Sequence, residues 1–184
     1  MSLTVLEGPD YVGKTTYCKQ KYEDLAALGE KVVYVHFPIK SIDDFCFSRD
    51  IDVYFMCLKS LKGKSQSEIQ DIILENIIDN SELLKKLYLD GFHVIIDRFI
   101  FSNYVYRKII CNENINLSFY TKNELIRFIL DNARINILSE EENVLLKRKY
   151  ENTHNQDLLA SITEEDEVLK KSNLLFLQLS KYNK

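Results

Sequence analysis

Eight consecutive residues, Gly8-Pro9-Asp10-Tyr11-Val12-Gly13-Lys14-Thr15, complete the pattern G-x-x-x-x-G-K-[ST], and Thr16 follows them. The chemistry of that pattern is anion holding. Its glycines let the backbone wrap a phosphate, successive amide N–H groups form a nest, and the helix that follows adds about half a positive charge. Lys14 is placed to hold the terminal phosphates of a nucleotide, and the Thr15 hydroxyl to ligate Mg²⁺. A second constellation, Asp97-Arg98, closes the apolar run that begins at Phe92. Asp97 can orient Mg²⁺ or its water shell, and Arg98 offers planar, bidentate donors to a second phosphate. A phosphate-binding loop alone specifies nucleotide binding and no particular reaction. The chain has no base-reading N-K-x-D signature of a GTPase, and its 184 residues are few for a motor, which leaves the small kinases.

These residues need a scaffold that brings them to one edge. Leu3 to Glu7, Lys31 to Phe37, Phe92 to Asp97 and Arg134 to Leu138 read as strands, being apolar and rich in β-branched residues. Helical spacing fits Lys14 to Leu28 with a stop at Gly29, and Ser67 to Leu89 with a stop before Gly91. It also fits Lys122 to Asp131, Glu140 to Tyr150 and Glu164 to Tyr182. Alternating strands and helices predict a three-layer α/β fold, a central parallel sheet of four to five strands flanked by helices, with ligands at the strands' carboxyl ends.

Composition agrees with one domain over residues 1–184: 46% hydrophobic and 28% charged residues are the balance of a globular protein. A formal charge of -4 argues against a nucleic-acid partner. No apolar run approaches the ~20 residues that span a bilayer, so no membrane partner and a cytoplasmic location are expected. Cys18, Cys46, Cys57 and Cys111 are scattered without a CxxC pair and read as idle or buried thiols. His36, His93 and His154 carry no expected catalytic role.

Glu7-Gly8-Pro9-Asp10-Tyr11-Val12-Gly13-Lys14-Thr15-Thr16, then Phe37-Pro38, then Asp97-Arg98-Phe99-Ile100-Phe101-Ser102 resemble, in order, the thymidylate kinase motifs E-G-x-[DE]-x-x-G-K-[ST]-T, F-P and D-R-[YH]-x-x-S. The resemblance implies a P-loop kinase fold and an ATP- and Mg²⁺-dependent phosphorylation of a deoxynucleoside monophosphate, dTMP to dTDP foremost. It implies that Asp10 bonds the acceptor sugar's 3′-hydroxyl, that Arg98 clamps the acceptor phosphate, and that Ser102 and Asn103 read the base edge. By the same resemblance Tyr106 packs on the sugar, and Phe37 and Pro38 wall the acceptor. Tyr11 stands where some members carry a catalytic basic residue. Members without it place arginines in a lid, a role that Lys147, Arg148 and Lys149 fit within a lid segment at about 145–158, with Arg148 closing over the transfer. A homodimer is the family's habit.

Two departures stand out. The family's F-x-x-x-R on the helix before Asp97 falls on Ile73 and Ile77, so Ile73 would pack on the base without stacking, and Arg107 or Lys40 would have to supply the missing charge. Phe55 and Lys59 have the right mutual spacing but lie far upstream. Family members also usually continue into a fifth strand and a last helix, whereas these residues end at Lys184, and Leu174 to Leu179 reads as helix. Two rival functions remain: a deoxynucleoside kinase, for which Asp43 and Asp44 are the nearby carboxylate bases, and a nucleotide-binding module without turnover.

Overall fold

A computed structural model describes residues 1–46, 54–56, 61–153 and 164–183. Its sheet has five strands, β1 (Ser2–Glu7), β2 (Val32–His36), β3 (Phe45–Cys46), β4 (His93–Asp97) and β5 (Arg134–Ile137), in the order β3-β2-β4-β1-β5. β1, β2, β4 and β5 run parallel and β3 is a two-residue antiparallel edge on β2. This is the expected α/β sheet.

The strands are apolar on both faces because both faces are covered. Leu3, Val5, Val33, Val35, Val94, Ile96, Ile135 and Ile137 point into one large cluster. Their neighbours Leu6, Val32, Tyr34 and Ile95 point the other way, against Cys18 of α1 (Lys14–Ala27). The large cluster is closed by α2 (Gln66–Leu89), α3 (Ile100–Ile110), α4 (Glu124–Asn132) and α6 (Glu164–Leu179), through side chains such as Leu84, Phe101, Ile129 and Phe176. The remaining helix, α5 (Glu142–Thr153), packs on α6. Of the expected lid at about 145–158, the portion to Thr153 is therefore helix; 154–158, with His154, lies outside the described residues, as do Cys57 and Lys59.

Local chemistry accounts for most boundaries. α1 ends where Gly29 takes φ +75°, a conformation a side chain would oppose. α2 begins in a capping box, with the Glu68 amide donating to the Ser65 hydroxyl and the Ser65 amide to the Glu68 carboxylate. The Leu174 to Leu179 stretch is helix, as its rhythm predicts. Past it, the Asn183 side-chain amide takes the Ile137 N–H and donates to the Ile137 carbonyl, so it partners one residue on the outer edge of β5. α3 has no counterpart in the sequence reading.

Two buried asparagines on α2 tie in the segment after β2. Asn80, fully buried, accepts from the Tyr54 N–H at 3.0 Å and donates to the Tyr54 carbonyl at 2.9 Å. Asn76 accepts from the Ile39 N–H at 2.8 Å and donates to the same Tyr54 carbonyl at 2.6 Å. Buried backbone groups without such partners each cost about 1–3 kcal/mol. Asn80→Ala is therefore expected to lower unfolding stability by about 1–3 kcal/mol in urea titration; a loss below about 0.5 kcal/mol, the range of inert surface changes, would show that the segment is held by other contacts.

Candidate active site

The register of the three central strands brings the functional groups together. Asp97 at the end of β4 lies beside Leu6 of β1 and His36 of β2, so the loop that leaves β1 and the turn that leaves β4 emerge side by side. Gly8 approaches the Leu138 backbone so closely that an added Cβ would sit 2.7 Å from its carbonyl oxygen, at φ +147°. Only glycine fits there. Gly13, at φ +94°, turns the chain into α1, whose N-terminus has neither a side-chain cap nor an acidic residue in its first turn. Its leading amides are thus left to an anion.

Lys14 lies under this loop, 4% exposed, with its ammonium donating to the Pro9 carbonyl at 2.6 Å. Burial, reinforced by the like charge of Arg98, lowers its pKa from 10.5 to about 8. The Thr15 hydroxyl donates to Asp97 Oδ2 at 2.6 Å. Asp97 is fully buried, and its Oδ1 has no hydrogen-bond partner among the described residues. A buried carboxylate oxygen left open beside a hydroxyl is a hard-oxygen pair of the kind Mg²⁺ takes, and both residues expected to hold the metal supply it. His36 Nδ1 stands 3.5 Å from Asp97 Oδ2, and burial keeps the His36 pKa below its ordinary value despite that carboxylate. His93 is occupied at the opposite end of β4, against Ser2 and Glu30.

Arg98 sits at φ +68°, a strained conformation for a residue with a side chain. Its guanidinium pairs with Asp10 Oδ1, and the Tyr106 hydroxyl donates to Asp10 Oδ2 at 2.9 Å. Burial works to raise the Asp10 pKa, but Arg98 and Lys14 outweigh it and hold the carboxyl below the usual range. Burial likewise pushes the Tyr106 phenol up to about 12, so it remains a donor at neutral pH.

Two cavities meet along Asp10 and Tyr11. The first, about 730 Å³, is lined by Asp10 to Tyr17, Gln20, Arg98 and Arg148. The second, about 460 Å³, is lined by Asp10, Tyr11 and Tyr106 together with Ile110, Lys149 and four residues of α6, Glu165 among them. Asp10 to Thr16 of the expected nucleotide loop thus line one space, with Arg98 and Arg148 facing it.

The basic trio separates. Arg148 reaches the loop, donating to the Tyr11 carbonyl at 3.4 Å while its other nitrogen lies 3.7 Å from Glu140. Lys149 turns to α6, bonding Asp166 at 2.7 Å, and Lys147 is exposed beside Glu151. On the acceptor side, several expected contacts are engaged within the protein. Phe37 is buried against Phe99, its ring 6.1 Å away, and Pro38 is half-buried beside it. Asn103 donates to Gln70 and accepts from Arg107 at 3.1 Å and from Tyr120 at 2.8 Å. The Ser102 hydroxyl donates to Glu7. Ile77 is core and Ile73 packs against it. None of these residues lines either cavity. Arg107 is neutralised by Asp71 and Glu113, and Lys40 is exposed, so neither replaces the missing F-x-x-x-R charge. Phe55 lies exposed on the outer side of α2, where Glu68, Asp71, Glu75 and Asp79 line a separate hollow. Asp44 closes its own turn by accepting from the Lys40 and Ser41 amides.

A parallel sheet with a phosphate loop leaving an inner strand, a buried lysine beneath that loop and an Asp-Arg pair at the end of the adjoining strand define a P-loop nucleotide-binding protein of the kinase type. Sequence comparison narrows this: a profile of the family described as "Thymidylate kinase" matches residues 6–184, and the chain belongs to that family. A relative in Invertebrate iridescent virus 6, named "Putative thymidylate kinase 251L", is 33% identical over 103 residues, which cover 54% of this chain and 44% of the relative. The match therefore spans less than half of that relative's length. No helix among the described residues is long and apolar enough to cross a membrane.

The Lys14 environment makes a pH-dependent signature. The folded protein releases this proton near pH 8, whereas the unfolded chain keeps it to about 10.5, so unfolding takes up a proton between those values and stability rises with pH across the window. Lys14→Met has no such proton. Below pH 8 the variant is expected to be the more stable, and its lead should shrink by on the order of 1–3 kcal/mol between pH 8 and 10. A lead that stays constant in urea titrations over that range would falsify the buried charge.

Proposed function

We propose that the chain transfers the γ-phosphoryl group of ATP to the 5′-phosphate of a deoxynucleoside monophosphate, dTMP or a close pyrimidine analogue. The observation that carries this is the convergence of Arg98 and Arg148 on the cavity of the phosphate loop, with Asp10 shared by the adjoining one, where Tyr106 bonds it. Two arginines facing one phosphate loop suit a reaction that brings two phosphate chains together.

In this reading the triphosphate lies in the amides from Gly8 to Gly13, with Lys14 on its outer phosphates. Arg98 holds the acceptor phosphate, anchored by Asp10 so that its guanidinium is presented at a set angle. An oxygen of that phosphate attacks the γ-phosphorus as the bond to the β-phosphate oxygen breaks, and ADP leaves. The attacking oxygen is already anionic, so no general base is needed, in keeping with the absorption of Asp44 in its own turn. Thr15 and Asp97 would hold Mg²⁺, which supplies charge neutralisation at the phosphates. Arg148 serves in place of a basic residue at Tyr11, approaching from α5 to meet the charge that develops on the transferred group. The second cavity, with Tyr106 and Ile110 on one wall and α6 on the other, is the space that takes the acceptor's sugar and base. Of the two carboxylates that a deoxynucleoside kinase would need near the end of β2, Asp44 is taken up by its own turn and Asp43 is exposed.

Purified protein with ATP and Mg²⁺ is expected to phosphorylate dTMP in preference to thymidine across a panel of nucleosides and monophosphates; a folded protein that converts no monophosphate refutes the proposal. Removing one cation that meets transition-state charge typically costs 10²–10³ in kcat, so Arg148→Ala should lower kcat by about that factor, while Lys147→Ala stays within about twofold. Equal losses in the two variants would assign the effect to general lid charge instead.

A further inference from the structure

Arg98 holds a conformation that its own residue type resists. A side-chain-bearing residue at φ +68° persists only where its surroundings over-determine it. The entrance to the turn is held by the sheet: the Arg98 N–H donates to the Leu6 carbonyl at 2.9 Å. The exit is held by the next residue of β1. Glu7, with no exposed surface, accepts from the Phe99 N–H at 2.7 Å and the Phe101 N–H at 2.9 Å on one carboxylate oxygen, and from the Ser102 hydroxyl on the other. These amides begin α3, which has no side-chain cap of its own. The same Glu7 immediately precedes Gly8, and its carbonyl accepts from the Leu138 N–H at 2.8 Å. One residue therefore anchors both the start of the phosphate loop and the start of the helix behind Arg98.

We infer that Glu7 is the positioning residue that sets the angle of Arg98, and through it the distance between the phosphate loop and the acceptor phosphate. This rests on the reading of Arg98 as the acceptor clamp. Glu7 touches neither cavity, so it acts only through Arg98 and α3. Its carboxylate suits the place because two convergent amides and a hydroxyl demand acceptors. A glutamine offers the same acceptor to both amides and turns its NH₂ to the Ser102 oxygen, whereas alanine leaves all three groups unmet.

The test compares wild type, Glu7→Ala and Glu7→Gln with dTMP and ATP varied separately. Misplacement of a phosphate-positioning group by about 1 Å can cost a hundredfold, so Glu7→Ala should lower kcat/KM for dTMP by about 10–100-fold with the KM for ATP changed less than about threefold, and Glu7→Gln should restore both to within about threefold. If Glu7→Ala does not fold, Glu7→Asp, one methylene too short to meet both amides, takes its place. Both KM values rising together, or kcat/KM for dTMP staying within about threefold of wild type in Glu7→Ala, overturns the inference. Amide exchange on the ligand-free proteins supplies a readout independent of turnover. Loss of protection at Phe99 and Phe101 in Glu7→Ala, regained in Glu7→Gln, supports Glu7 as the anchor; protection retained in Glu7→Ala overturns it even if wild type turns over nothing. Absence of wild-type turnover on every monophosphate defeats the proposed function and leaves the exchange result to decide Glu7.

Discussion

A carboxylate removed from water must be met by donors or cations, and the carboxyl edge of this sheet is organised around three of them. Glu7 is met by neutral donors, two amides and a hydroxyl. Asp10 is met by a guanidinium and a phenol. Asp97 is met on one oxygen by Thr15 and on the other by no partner among the described residues. The cost of burying such charge is several kcal/mol per ion when unpaired, which constrains every neighbouring backbone choice. The strand register, the left-handed turn at Arg98 and the start of α3 are the means by which those donors are delivered.

The same electrostatics orders the cations. The Arg98 guanidinium disfavours the charge on Lys14, and Asp10 and Asp97 offset part of that repulsion. Lys14 is thus a buried cation whose charge burial disfavours and an anion would favour, whereas Arg98 keeps its charge beside Asp10. Arg148 stands apart from that buried set, tethered to the Tyr11 carbonyl and facing Glu140, on a helix that packs on α6. Its partial exposure leaves it able to follow a ligand, as the deeper Lys14 is not.

The residues of the phosphate loop and the Asp-Arg pair were legible because their chemistry is written in adjacent positions: Gly8, Gly13, Lys14 and Thr15 act through backbone and side chains within one loop. Gly29 and the alternating strands were legible for the same local reason. The acceptor side was less so. Ser102 and Asn103 match their motif by position, yet Ser102 bonds Glu7, and Asn103 satisfies Gln70, Arg107 and Tyr120, partners drawn from two further segments. Within the basic trio, three adjacent residues face three directions because helical geometry separates them by about 100° each, and only contact with Tyr11 singles out Arg148.

By itself the sequence determined what is encoded in short range: a phosphate nest, a parallel α/β order from the alternation of periods, and the family those motifs mark. Tertiary structure decided α3. Its N-cap residue is Phe99, which supplies no cap, and its leading amides are received by Glu7 from more than 90 residues away. A helix whose first turn is satisfied across the sheet leaves no start signal in its own residues. Whether Arg98 faces the loop, which lysine turns to α6, and where Phe37 is buried are likewise outcomes of packing, because they depend on groups that become neighbours only in the folded chain.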